Sequence, residues 1–103
     1  MVTVTVTPRS GERLYSLLVK KEPALKTFFR SAKKKAGEAR WAHTNYRGWI
    51  RLQKCLGGVM VATVQSKRPD QEWQILSAFV GVLHRHFRDR VGTISISYDR
   101  SEG

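Results

Sequence analysis

Acidic side chains are scarce in this chain: Asp and Glu together number 8, against 19 Lys and Arg. They stand singly and read mostly as partners of helix dipoles, so a two-carboxylate catalytic site is unsupported. Cysteine is scarcer still. A lone Cys55 excludes an internal disulfide and a Cys-rich zinc site, and mildly favours a reducing compartment. No apolar run approaches the ~20 residues of a membrane span; the longest, Ile75 to Leu83, is broken by Ser77 and Gly81. Residues 1–7 alternate Val and Thr and lack the apolar segment of a signal peptide. There is no Gly-rich phosphate loop with a Lys-Ser/Thr ending, no Gly-x-Ser-x-Gly elbow and no repeat of solenoid length. The expectation is a soluble, cytoplasmic protein without a membrane segment or a small-molecule cofactor.

Positive charge is plentiful and uneven. Residues 20–54 hold eleven Lys and Arg against Glu22 and Glu38, a net +9 of the chain's +11. Charge this local makes a face that can meet a polyanion. The same window holds Phe28, Phe29, Trp41, His43, Tyr46 and Trp49. With 103 residues, 41% hydrophobic, the chain fits one domain over 1–99 with a short tail at 100–103.

Periodicity orders the elements. Val2 to Thr7 alternates β-branched residues and reads as a strand ended by Pro8. Ser10 is the expected N-cap of a helical stripe through Leu14, Leu17, Leu18, Leu25, Phe28, Phe29 and Ala32, interrupted at Glu22-Pro23 and closed by Gly37. Phe28 and Phe29 are both expected in the core. Arg40 to Thr44 reads as a short, weak strand, and Gly48 as a turn or bulge. Trp49–Cys55 and Val59–Ser66 flank Leu56-Gly57-Gly58, a hairpin signal. A two-residue Gly-Gly loop mixes polar and apolar residues on both faces. A three-residue loop pairs Cys55 with Val59 and separates Ile50, Leu52, Met60, Ala62 and Val64 from Trp49, Arg51, Gln53, Thr63 and Gln65; its cleaner pattern favours it. Pro69 to Arg88 is the strongest helix, with a stripe of Trp73, Leu76, Val80, Leu83 and Phe87 flanked by Ile75, Phe79 and Val82. Thr93 to Tyr98 is a last alternating strand.

The order β-α-β-β-α-β, with one-sided strands, predicts an α+β ferredoxin-like sandwich: an antiparallel sheet with two helices on one face and the first and last strands side by side. An extra strand near Arg40 is the structural alternative.

The chemistry points to nucleic acid, RNA or DNA. Arg30, Lys33, Lys34, Lys35 and Arg40 suit phosphate neutralisation, Arg47 and Arg51 suit bidentate phosphate contacts, and Trp49, Trp41 and His43 suit base stacking. Arg47-Gly48-Trp49-Ile50 is only a fragment of the motif of RNA-recognition modules, and the acidic start of the last helix does not fit double-stranded-RNA modules. Two other functions compete. The wide apolar arc of the last helix suits an interaction subunit, either a homodimer or the partner of an acidic protein. His43 with His84 or His86, plus Arg88, is the one set suited to a metal-free ribonuclease. His84 and His86 diverge round a helix and cannot chelate one metal, so no metal site is expected.

Overall fold

A computed structural model of the chain describes residues 1–30 and 37–98. Strand β1 (Val2–Pro8) leads to helix α1 (Leu14–Lys21), a 3-10 turn (Glu22–Ala24) and a three-residue strand, β2 (Phe28–Arg30). Then come β3 (Glu38–His43), β4 (Trp49–Lys54), β5 (Met60–Gln65), helix α2 (Pro69–Phe87) and β6 (Val91–Tyr98). The fold is α+β. Among the described residues the sheet has six strands in the order β2-β3-β4-β5-β1-β6, and every neighbouring pair is antiparallel. This order differs from the four-stranded ferredoxin-like expectation, because β2 and β3 extend the sheet beyond β4. The first and last strands do lie side by side, Val4 opposite Ile96.

Strand alternation builds one core. Val2, Val4, Val6, Ile50, Leu52, Met60, Ala62 and Val64 are buried together with Leu14 and Leu18 of α1 and Ile75, Leu76, Phe79, Val82, Leu83 and Phe87 of α2. The opposite face carries Thr3, Thr5, Arg40, Trp49, Arg51, Gln53 and Gln65, none of them buried. The hairpin takes the three-residue loop: the Cys55 N–H donates to the Val59 carbonyl at 2.9 Å and Lys54 faces Met60. Gly57 and Gly58 supply the left-handed φ of 71° and 79° that this turn requires.

Four local expectations are corrected. The helix does not continue through Phe28 and Phe29. After Pro23 the chain turns extended at Leu25 (ψ 138°), and 28–30 pairs with β3 instead. Pairing with a neighbour overrides the helical spacing, since β preference depends on what lies alongside. Phe28 and Phe29 therefore point to opposite faces, Phe28 into the core and Phe29 49% exposed. Ser10 is no cap: α1 starts at Leu14, and the Ser10 N–H donates to the Glu12 carboxylate at 2.8 Å. Trp73 leaves the buried stripe and stands 59% exposed, because the core takes the Ile75–Phe79–Val82 side of α2. Ala32, the helix closure before Gly37 and the tail at 100–103 lie outside the described residues. No described helix is long and apolar enough to cross a membrane.

Candidate nucleic-acid interface

Strands β3 and β4 form the ribbon on which the site depends. Their register sets Arg40 opposite Arg51, Trp41 opposite Ile50 and Ala42 opposite Trp49. Directly opposed residues share a face, so Trp41 joins Ile50 in the core while Arg40 and Arg51 project together from the uncovered side. Gly48 makes the entry to β4 feasible. At its φ of 142° a Cβ would lie 2.5 Å from the Gln65 carbonyl and 2.7 Å from Ile75 Cδ1. The loop before it is anchored: the Arg47 N–H donates to Gln71 Oε1 at 2.8 Å, and the Arg47 carbonyl accepts from Ser66 Oγ at 2.7 Å. Trp49 thus enters the sheet from a fixed backbone.

The uncovered face is organised in cross-strand rows. One row runs Arg40–Arg51–Thr63–Thr3–Ser97, and the next runs Phe29–Ala42–Trp49–Gln65. The Arg40 guanidinium carbon sits 4.3 Å from the Trp49 ring centroid, a cation–π contact between diagonal neighbours. Like charges directly opposite disfavour the pairing unless an anion is shared between them. Among the described residues no carboxylate pairs with Arg51. A concavity of about 340 Å³ opens here, lined by Glu38, Arg40, Trp49, Arg51 and Gln65. Phe29 and Trp49 lie two strands apart, roughly 10 Å at the usual sheet spacing, over the small side chain of Ala42.

Other expected site residues go elsewhere. Trp41 is fully buried, stacked with Phe28 at a centroid distance of 5.8 Å, and its Nε1–H donates to Glu22 Oε1 at 2.6 Å. It offers no surface to a base. Arg30 is held by the same carboxylate: Nε donates to Glu22 Oε1 at 3.0 Å and a terminal nitrogen lies 2.9 Å from Oε2. This two-pronged pair joins the 3-10 turn to β2 and β3, so the charge of Arg30 is spent internally. His43 also faces the core, 7% exposed, against Phe28 and Tyr46. Its Nδ1 accepts the Asn45 N–H at 2.9 Å, and burial lowers its pKa, which keeps the ring neutral. Lys33, Lys34 and Lys35 lie outside the described residues.

The ribonuclease set is not assembled around His43 and His84. His84 shares a groove with Val91 to Ile94 of β6, whereas His43 is on β3, four strand spacings or roughly 19 Å across the sheet. Sequence reasoning also missed a second basic surface. Lys20 and Lys21 line a groove with His86 and Arg90, and Lys26 lines another with Arg85 and His86. The signal was in the sequence as the basic end of α2, but it read as a dipole partner and not as an extension of the window. Phe29 was missed because a helical reading buries it.

No family model, no curated protein and no solved structure matches this chain. The functional reading therefore rests on the geometry above.

Proposed function

We propose that this protein binds nucleic acid, RNA or DNA, by laying a single strand across the uncovered face of the sheet. One observation carries the reading: Arg40 and Arg51 oppose each other beside the Arg40–Trp49 contact. An extended anionic backbone answers that arrangement, because a phosphate placed between two guanidiniums removes their repulsion and accepts from both. Trp49 and the exposed Phe29 supply faces for unstacked bases at separate points with Ala42 between them, and Thr3, Thr5 and Ser97 continue a hydrogen-bonding floor on the far side of Trp49. Lys33, Lys34, Lys35 and Arg47 add charge to the same segment of chain. In this reading β4-β5-β1-β6 is a ferredoxin-like unit widened by β2 and β3, and the widening creates the site. The single, exposed Cys55 suits a reducing compartment such as the cytoplasm.

The test is fluorescence anisotropy with labelled single-stranded RNA and DNA over a salt series. Binding should fall steeply with salt, and Trp49→Ala and Arg51→Ala should each weaken it by about tenfold, as loss of one stacking or phosphate contact does. Absence of binding to either polymer, with capture of an acidic protein instead, would replace this reading with the interaction-subunit one.

A second reading has its own support. Lys20, Lys21, Lys26, Arg85, His86 and Arg90 gather on the helix side, and among the described residues no ion pair engages them. Such a surface suits duplex phosphates without base stacking. If Lys20, Lys21, Arg85 and Arg90 changed together to Ala abolish binding while Trp49→Ala and Arg51→Ala do not, the helix side is the site.

A further inference from the structure

The uncovered face of the sheet divides at β5. Toward β2 it carries the arginines and aromatics described above; toward β6 it carries hydroxyls. Register places Thr3 opposite Ser97, Thr5 opposite Ser95 and Thr7 opposite Thr93, each pair on the side away from the helices. None of the six is buried. No Lys, Arg, Asp or Glu stands on β1, β5 or β6, although the chain has 19 Lys and Arg. Opposed Thr and Ser can hydrogen-bond to each other across strands. Here, among the described residues, none of the six hydroxyls makes a hydrogen bond within the chain, whereas Ser66 and Ser77 donate theirs to backbone carbonyls. Strand β5 joins the two halves. Thr63 stands between Arg51 and Thr3, so one row runs from the opposed arginines straight into the hydroxyls, at roughly 4.8 Å per strand.

We propose that the strand bound on this face is RNA, and that the hydroxyls of β1 and β6 recognise its ribose 2′-OH groups. The inference rests on the nucleic-acid reading and narrows it to one sugar. It follows from what each half of the face can offer. Phosphates and unstacked bases are answered on the β2–β4 half, by Arg40, Arg51, Trp49 and Phe29. A strand that continues past Arg51 meets no cation for a phosphate and no ring for a base. It meets groups that both donate and accept hydrogen bonds. The 2′-OH has the same dual character, and it is the backbone group that DNA lacks. Thr and Ser hydroxyls without internal partners can donate to it and accept from it. A deoxyribose instead lays a methylene over them and displaces their water with nothing in return. A polar group left unanswered in this way costs more than an answered one gains, so the floor selects against DNA as well as for RNA.

Fluorescence anisotropy on the full chain tests this with a mixed-sequence single-stranded RNA and the DNA of the same bases, deoxyuridine replacing uridine. The RNA should bind about tenfold more tightly, the gain from one or two net hydrogen bonds. The dependence on salt should be alike for both polymers, because their phosphate contacts are the same. RNAs carrying a single deoxynucleotide at successive positions should lose affinity at a few positions only. Thr3→Val combined with Ser97→Ala removes two opposed hydroxyls at little change of shape, and should bring the affinity for RNA down to that for DNA. The urea midpoint of this double variant should match the parent's, since among the described residues neither hydroxyl bonds within the chain. Equal affinity for RNA and DNA in the parent overturns this inference and leaves the nucleic-acid reading standing. Binding of neither polymer overturns both. An RNA preference that survives in the double variant overturns the assignment to these hydroxyls.

Discussion

Trp41 and Trp49 sit one register step apart on the β3–β4 ribbon, yet they belong to different physical regimes. Trp41 is sealed under α2 with its N–H bonded to Glu22. Trp49 lies on the other side of the same ribbon under the Arg40 guanidinium. Both faces carry aromatic and basic residues. On the covered face the cation and the indole N–H are satisfied internally by one carboxylate; on the uncovered face two arginines oppose each other at the mouth of a concavity. Charge and aromatic content alone do not mark a binding face. What separates the two faces is burial: Trp41 is sealed in the core and Trp49 is not.

The largest test of that contrast is a matched pair. Trp41→Ala should lower unfolding free energy by about 4 kcal/mol, in line with deletion of a buried aromatic, and Trp49→Ala by about 0.5 kcal/mol, as at a surface site; urea denaturation measures both. Equal losses would erase the distinction between the faces. Next, Glu22→Ala should cost about 2 kcal/mol, because it leaves the Trp41 N–H and the partly buried Arg30 without their acceptor. Arg51→Ala should do the reverse, leaving stability unchanged or slightly raised, about 0.5 kcal/mol, as cross-strand repulsion is relieved. A clear loss of stability in Arg51→Ala would mean that the uncovered face is structural.

Two smaller effects sharpen the covered side. The Tyr15 hydroxyl is buried, has no hydrogen-bond partner among the described residues, and its pKa is raised chiefly by that burial. Tyr15→Phe should therefore be neutral or stabilising by about 1 kcal/mol; a marked loss would reveal a partner for the hydroxyl. His43 has a pKa below its ordinary value through burial. Its ring is neutral in both states above about pH 6.5. As pH falls through that value the unfolded chain takes up a proton that the folded chain resists, so stability declines. Denaturation midpoints measured from neutral to mildly acidic pH should fall in the parent and flatten in His43→Phe.

Strict alternation made β1 and β6 legible from sequence, and β5 followed from the Gly-Gly hairpin signal, whose register came from its polar and apolar separation. The faces of β4 came with it, including Trp49 and Arg51 on one side. The 28–30 segment was not legible, because Leu25, Phe28, Phe29 and Ala32 fit a helical stripe as well as a strand, and only the neighbour β3 separates the two. The alternation of Ala39, Trp41 and His43 did carry a signal, but Trp and His suit a core or a surface equally until register pairs Trp41 with Ile50 and His43 with Phe28.

The sequence by itself determined what depends on local order along the chain: the α+β class, the strand faces of the hairpin, the bounds of α2 and the excess of positive charge in residues 20–54. Only the tertiary structure decided how that charge divides. Arg30 went to an internal pair, Lys20, Lys21 and Lys26 to the helix side beside the end of α2, and Arg40 and Arg51 to the uncovered sheet. The reason is physical: a side chain's periodicity is set by its own backbone, but its partner is set by whichever strand or helix packs alongside, and that is a relation between residues far apart in sequence.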